Sequence, residues 1–297
     1  MNNSFLTWTI GDVKVRQIVE ILDNELFATF IPEAQPERIR EISWLRPHFA
    51  DRHGNLKAQV QSFLITSKGK NILIDTCNGN GKNRPNVPAW GNLHTDFLKR
   101  LSNCGVDPEA VDIVACTHLH FDHVGWNTRL ENGSWIPAFP KATYLFSKEE
   151  YAYWIKKPHN EMIDDFNGID DSVTPIVDAG LAEFVTDDHR IDENVRFIST
   201  PGHTPHHISV VIESQGQKTI ISGDVMHHPC QIAHQEWTTL ADTYPDQTVE
   251  TRKRFLGEIK DKEVLVIGSH FANPVAGKVV STDRGLKFSI VLDKMYT

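Results

Sequence analysis

The chain has 297 residues, 40% of them hydrophobic, with 30 Lys and Arg against 39 Asp and Glu and a formal net charge of −9. That apolar content sustains a buried core and excludes a disordered or fibrous class. The acidic balance speaks against nucleic acid or an anionic membrane as partner, and no apolar run approaches the roughly 18 residues of a membrane span.

Val13, Val15 and residues 17–19 alternate as an early half-buried strand. Ile39, Ile42 and Leu45, at helical spacing after Pro36, predict a short helix within 34–46. Residues 59–66, a turn over 67–70 and residues 71–75 read as a hairpin. The stretch 77–91 carries Gly79, Gly81, Gly91, Pro85 and Pro88 and is a long loop. Phe97, Leu98, Leu101 and Cys104 form an apolar helical stripe that Gly105 ends. Residues 111–116 make a buried strand that runs into a histidine cluster. Residues 144–146 form another, and Ser147 with Glu150 gives a capping box opening a helix over 148–157. The acidic stretch 158–180 is expected to be exposed. Strands follow at 195–200, 208–213 and 218–223, the last two joined at Gly216. Thr248 caps a helix over 249–260, and Val264–Ile267 is a last short strand. One layered α/β domain over 1–297 is expected, with an N-terminal extension to about residue 58 and an insertion over about 147–180.

The N-terminal residues lack the basic-then-apolar pattern of a secretory leader, and Cys77, Cys104, Cys116 and Cys230 are far apart. Free thiols in a reducing, cytoplasmic setting are therefore expected.

The 15 histidines carry the strongest signal. Directly after the strand 111–116 stands Thr117-His118-Leu119-His120-Phe121-Asp122-His123. Three imidazoles and a carboxylate so close together supply the nitrogen and oxygen donors that zinc and similar divalent ions take. His203, Asp224 and His270 occupy equivalent places, each behind a strand and one or more small residues. Any one of them alone would pass for a turn residue. Their repetition argues for ligands gathered at one sheet edge.

The string His118-x-His120-x-Asp122-His123, followed in order by His203, Asp224 and His270, resembles the metallo-β-lactamase superfamily. The resemblance implies an αββα sandwich with a binuclear metal site at the sheet edge. His118, His120 and His203 would bind one ion, Asp122, His123 and His270 the other, and Asp224 would bridge them. Asp75, ending the strand Ile72-Leu73-Ile74, matches an aspartate that holds a ligand imidazole in the family. Two divalent ions, zinc first and Mn, Fe or Co as alternatives, would present a bridging hydroxide for hydrolysis, with Asp122 steering it and moving its proton.

The absence of room for an inserted nuclease domain or a flavodoxin-like domain removes those branches, and a bridging aspartate at Asp224 departs from class B3 β-lactamases. The run Pro201-Gly202-His203-Thr204-Pro205-His206 with Gly223-Asp224 is similar to the N-acyl-homoserine lactone lactonase and methyl parathion hydrolase group. The lactonases typically carry a tyrosine three positions after the bridging aspartate. Here that position is His227, which could hydrogen-bond the substrate carbonyl or act as acid to the leaving oxygen. Ester or lactone hydrolysis of a small uncharged organic substrate stands first, with phosphotriester hydrolysis as the alternative. A metal-sensing protein and a mononuclear iron dioxygenase fit the seven-donor set less well. His206 and His207 read as pocket wall or hydrogen-bonded structure, and His228 as structural. Trp90, Trp126, Tyr151, Trp154 and Trp237 are candidates for an aromatic pocket mouth. Phe27, Phe30 and Ile31 hint at a homodimer interface, with internal packing equally open.

Overall fold

A computed structural model describes residues 5–23, 27–156 and 168–291. Period-two runs of β-branched and aromatic residues favour strands, and the described residues form β1 (Thr7–Ile10), β2 (Val13–Asp23), β3 (Ala58–Ser67), β4 (Lys70–Ile74), β5 (Ile113–Ala115), β6 (Thr128–Glu131), β7 (Ser134–Pro137), β8 (Thr143–Ser147), β9 (Ala182–Val185), β10 (Val195–Ser199), β11 (Ile208–Ser214), β12 (Gln217–Ile221), β13 (Val264–Ile267), β14 (Ala276–Thr282) and β15 (Gly285–Ile290). The first sheet runs β1-β2-β3-β4-β5-β8-β9 and the second β10-β11-β12-β13-β14-β15, with β6 and β7 a separate hairpin.

Alternation sorts the side chains between two cores. From the first sheet, Phe63, Ile65, Ile72, Ile74 and Ala115 share a core with Phe197, Val210, Ile221 and Ile267, which register places on one face of the second. Leu64, Leu73 and Val114 point the other way, against Phe97 and Leu101 of the helix Phe97–Asn103. The outer side of the second sheet is covered by Phe255, Leu256 and Ile259 of the helix Pro245–Ile259. Each such burial contributes roughly 1.5–3 kcal/mol, which makes a slip by one residue prohibitive. The result is the expected αββα sandwich.

Strand direction creates the site. β4, β5, β8 and β9 are mutually parallel, as are β12 and β13, so their C-terminal ends open on one edge of each sheet. β10 runs antiparallel to β11, and β11 to β12, so β10 ends at that edge too.

Several expectations change. β1 pairs with β2, which covers the expected early strand, and both belong to the first sheet. The stretch expected to be exposed over 158–180 is described from residue 168, and there Ile169, Ser172, Val173 and Ile176 are buried. The helix expected over 148–157 spans Lys148–Trp154, and Lys157 lies outside the described residues. The long C-terminal helix begins at Pro245, three residues before the expected cap Thr248, because proline at the first helical position is already set for the helix. β14 and β15 were not anticipated. Among the described residues no helix is long and apolar enough to cross a membrane. All four cysteines are free thiols.

Candidate metal centre

Each predicted donor sits just beyond the strand expected to carry it. Asp75 follows β4, and its positive φ of 56° turns the carboxylate back toward the end of β5. His118 and His120 lie in the loop after β5, and Asp122 and His123 in the short helix Phe121–Val124. His203 follows β10, Asp224 follows β12 and His270 follows β13. Gly223, at φ 54°, permits the approach of His207, whose Nε2 would stand 2.4 Å from a Cβ there.

The seven donors converge. His118, His120 and His203 form one group, Asp122, His123 and His270 another, and Asp224 joins His118 and His123 in a third. Asp224 Oδ2 stands 3.2 Å from His123 Nε2, 3.3 Å from His203 Nε2 and 3.8 Å from His118 Nε2, while its Oδ1 is 3.4 Å from His270 Nε2. Asp122 Oδ2 lies 3.6 Å from His123 Nε2 and 3.4 Å from His270 Nε2. Ligand atoms about 2.0–2.1 Å from a shared tetrahedral ion stand about 3.3 Å apart, so these separations match edges of a coordination polyhedron. His118 Nε2 is buried without a hydrogen-bond partner, as a nitrogen facing a cation would be.

Partners behind the donors select the tautomers. Asp75 Oδ2 accepts from His123 Nδ1 at 2.9 Å, and the same carboxylate accepts from Thr117 N and Oγ1. Thr117 Oγ1 also meets His118 Nδ1 at 3.1 Å. Asp242 Oδ1 takes His203 Nδ1 at 2.9 Å, and the Gln59 carbonyl takes His270 Nδ1 at 3.1 Å. These four imidazoles therefore turn Nε2 inward. His120 turns Nδ1 toward His203 Nε2, at 2.9 Å.

Electrostatics favour added positive charge. Burial, with the neighbouring rings, holds His118 and His120 well below their ordinary values, leaving them in the neutral ligating form. Burial opposes charge on His123, yet Asp224, Asp122 and Asp75 hold it well above its ordinary value. Burial likewise opposes charge on Asp224, but His123, His270 and His227 hold it far below the usual carboxylate range. Divalent cations supply the positive charge that these carboxylates draw in.

His227 also reaches the centre, its Nε2 3.1 Å from Asp224 Oδ2 and its ring stacked on His270 at 5.6 Å. A cavity of about 140 Å³ opens over the donors, walled by Phe30, Val87, Trp90, Leu240 and Ala241. Of the five candidate aromatics only Trp90 lines it. Trp126 stacks on Phe97 and Trp154 packs edge-on to His120, while Tyr151 lies tilted against Phe184 and Trp237 stacks against His234. Phe30 is cavity wall and Ile31 is core, while the side chain of Phe27 lies outside what is described.

His207 accepts the Asp224 N–H at Nε2 (2.8 Å) and gives Nδ1–H to the Thr200 carbonyl (3.1 Å), holding the central aspartate in place. His228 bonds the Phe49 carbonyl and Cys230 N. The contributions of Asp242 and Gln59 were missed. Neither belongs to a motif, and only the folded chain brings them to the ligands.

The metallo-beta-lactamase superfamily model matches residues 57–270, well over half the chain, and the chain belongs to that superfamily. It is 22% identical over 176 residues to N-acyl homoserine lactonase AiiA of Bacillus thuringiensis subsp. kurstaki, covering 59% of this chain and 60% of that protein. It is 26% identical over 188 residues to N-acyl homoserine lactonase AttM of Rhizobium radiobacter, covering 54% and 62%. A probable metallo-hydrolase of Methanocaldococcus jannaschii, MJ0296, is 29% identical over 115 residues, 39% of each chain. The chain thus spans about two fifths to three fifths of the length of these curated relatives. Among solved structures, hydrolase AbOPH of the beta lactamase superfamily aligns with a TM-score of 0.80 at 23% identity over 98% of both chains. The dizinc quorum-quenching lactonase AidC aligns at 0.77 and 22% identity, over 97% of this chain and 98% of its own. These likenesses establish the fold.

Proposed function

We propose that the chain is a hydrolase working with two divalent cations, zinc first among them, that opens an ester or lactone in a small uncharged organic molecule. His118, His120 and His203 would hold one ion, Asp122, His123 and His270 the other, with Asp224 reaching both. A divalent pair supplies Lewis acidity and makes hydroxide available at neutral pH.

The chain's own residues do the rest. Phe30, Val87, Trp90 and Leu240 exclude water and receive apolar substrate, and among the described residues no Lys or Arg lines the cavity to neutralise an anionic one. Asp122, 12% exposed at its side chain, faces the cavity and is the group placed to accept a proton and pass it on. His227 donates from its imidazole to the substrate carbonyl or to the leaving oxygen, and burial favours its neutral form despite Asp224. The observation that carries this reading is the pair of donor triads sharing Asp224 beneath an apolar cavity. The imidazole at His227, where the family's lactonases generally have a phenol, favours phosphotriester hydrolysis as the second reading.

Metal-loaded protein assayed on lactones, aryl esters and phosphotriesters, ranked by kcat/KM, tests both. Turnover of lactones or esters that a chelator abolishes and Zn²⁺, Mn²⁺ or Co²⁺ restores is the expected result. Preference for phosphotriesters selects the second reading, and activity surviving in metal-free protein overturns both.

A further inference from the structure

We infer that Glu150 is a positioning residue for the first cation site, its one carboxylate tying the loop that bears His118 and His120 to the loop that bears His203. The inference rests on the metal reading above.

Ser147 ends β8, and its Oγ accepts the Glu150 N–H at 3.3 Å, which caps the helix Lys148–Trp154. In an ordinary capping box the glutamate would return to the N–H of the cap residue. Here the carboxylate reaches across the end of the parallel strands instead. Oε1 accepts from Leu119 N at 3.4 Å, between the two ligands His118 and His120. Oε2 accepts from His206 N at 3.1 Å, three residues beyond His203. Each ligand loop therefore has its own oxygen.

Oε1 also accepts from Trp154 Nε1 at 2.7 Å, and that indole packs edge-on to the His120 ring with centroids 5.4 Å apart. A second strut runs outside the first. Ser147 Oγ donates to Asp187 Oδ1 at 2.6 Å, and Asp187 Oδ2 meets His206 Nδ1 at 3.2 Å. Near the strands the loops are joined by Ile208 N donating to the Thr117 carbonyl at 3.0 Å. Glu150 joins them further out, where the ligands are.

A carboxylate only 1% exposed is costly unless its oxygens are bonded. Ser147 already caps the helix, so local structure does not require this one. What its three N–H donors have in common is contact with the frame of His118, His120 and His203. The second triad, Asp122, His123 and His270, is framed instead by Asp75 and the Gln59 carbonyl. Cation ligands tolerate displacements of only a few tenths of an ångström. Loss of the Glu150 acceptors should therefore weaken one site and spare the other.

The test is titration of the metal-free full-length chain with Zn²⁺ or Co²⁺ alone, read by chelator competition and cobalt absorption, for wild type and Glu150→Gln. Glutamine keeps the volume but sets an NH₂ against N–H groups that need an acceptor. Wild type should bind two ions, and the variant should keep one at unchanged affinity while losing about 10- to 100-fold at the other. Ser147→Ala, which removes the cap and the outer strut through Asp187 but leaves Glu150 in place, should lower the melting temperature of the metal-free protein and separate the two affinities by less than Glu150→Gln does. Should Glu150→Gln fail to fold, Glu150→Asp, too short to span both loops, carries the same expected split. Equal weakening of both sites, or none, overturns the inference. A wild type that binds fewer than two ions overturns the metal reading itself, and the inference with it.

Discussion

Asp242 Oδ1 stands 2.9 Å from His203 Nδ1, with both side chains buried, and Asp242 Oδ2 accepts the Thr239 N–H at 2.8 Å. The carboxylate thus fixes at once the tautomer of a candidate ligand and the loop that walls the cavity through Leu240 and Ala241. Asp242→Ala should lower metal affinity by about 10- to 100-fold, the usual cost of losing a group that orients a ligand. Chelator competition measures it, and unchanged affinity would show that His203 needs no such partner.

His227→Phe keeps an aromatic ring beside His270 and Phe30 but removes the nitrogen 3.1 Å from Asp224. Metal content should stay at the wild-type level while kcat falls about 100-fold, the scale of losing one donor to a developing oxyanion. Steady-state kinetics with elemental analysis of the same samples decides this. Equal kcat would remove His227 from the chemistry.

The loop that carries Asn86, Val87 and Trp90 into the cavity wall is held by an ionic latch. Arg84 grips Asp171 at 2.7 and 3.0 Å, and the buried Lys82 reaches the Asp171 carbonyl and Thr128 Oγ1, each at 2.8 Å. Burial lowers Lys82 to about 8, which makes Asp171 the partner that justifies its charge. Asp171→Asn should destabilise the fold by up to about 3 kcal/mol, since it leaves two largely buried cations underpaired. Denaturant titration reads that cost, and KM should rise more than kcat falls because the cavity wall loosens.

His228 donates to the Phe49 carbonyl at 2.8 Å and accepts from Cys230 N at 3.1 Å, and burial lowers it to about 4. Its value in the unfolded chain is about 6.5, so between those limits the unfolded state binds the extra proton. The contribution to stability is complete above pH 6.5 and shrinks as pH falls toward 4. His228→Gln should therefore flatten the loss of stability over that interval relative to wild type. Urea titrations of the metal-free proteins at several pH values provide the comparison, and parallel curves would contradict it.

Much of the architecture could be read from local pattern, because a strand buried on both faces, such as Ile72-Leu73-Ile74, announces itself. The candidate ligands were legible for a related reason: each follows a strand, and four of the seven stand within one short string. What stayed hidden depends on distant partners. Asp171 looks like solvated acid in sequence, yet its charge is consumed by Lys82 and Arg84 from a loop nearly ninety residues earlier, which lets Ile169, Val173 and Ile176 enter the core. Asp242 and Gln59 carry no motif. The alternation of Val279 and Phe288 in β14 and β15 is diluted by Lys, Ser and Gly.

The most direct measurement is the number of divalent ions held per chain after metal loading, taken by elemental analysis on wild type and Asp224→Ala. Two ions in wild type, with one or both lost in an Asp224→Ala protein whose circular dichroism is unchanged, is the expected outcome. A wild type that retains one ion or none, or a variant that retains both, would contradict the shared centre.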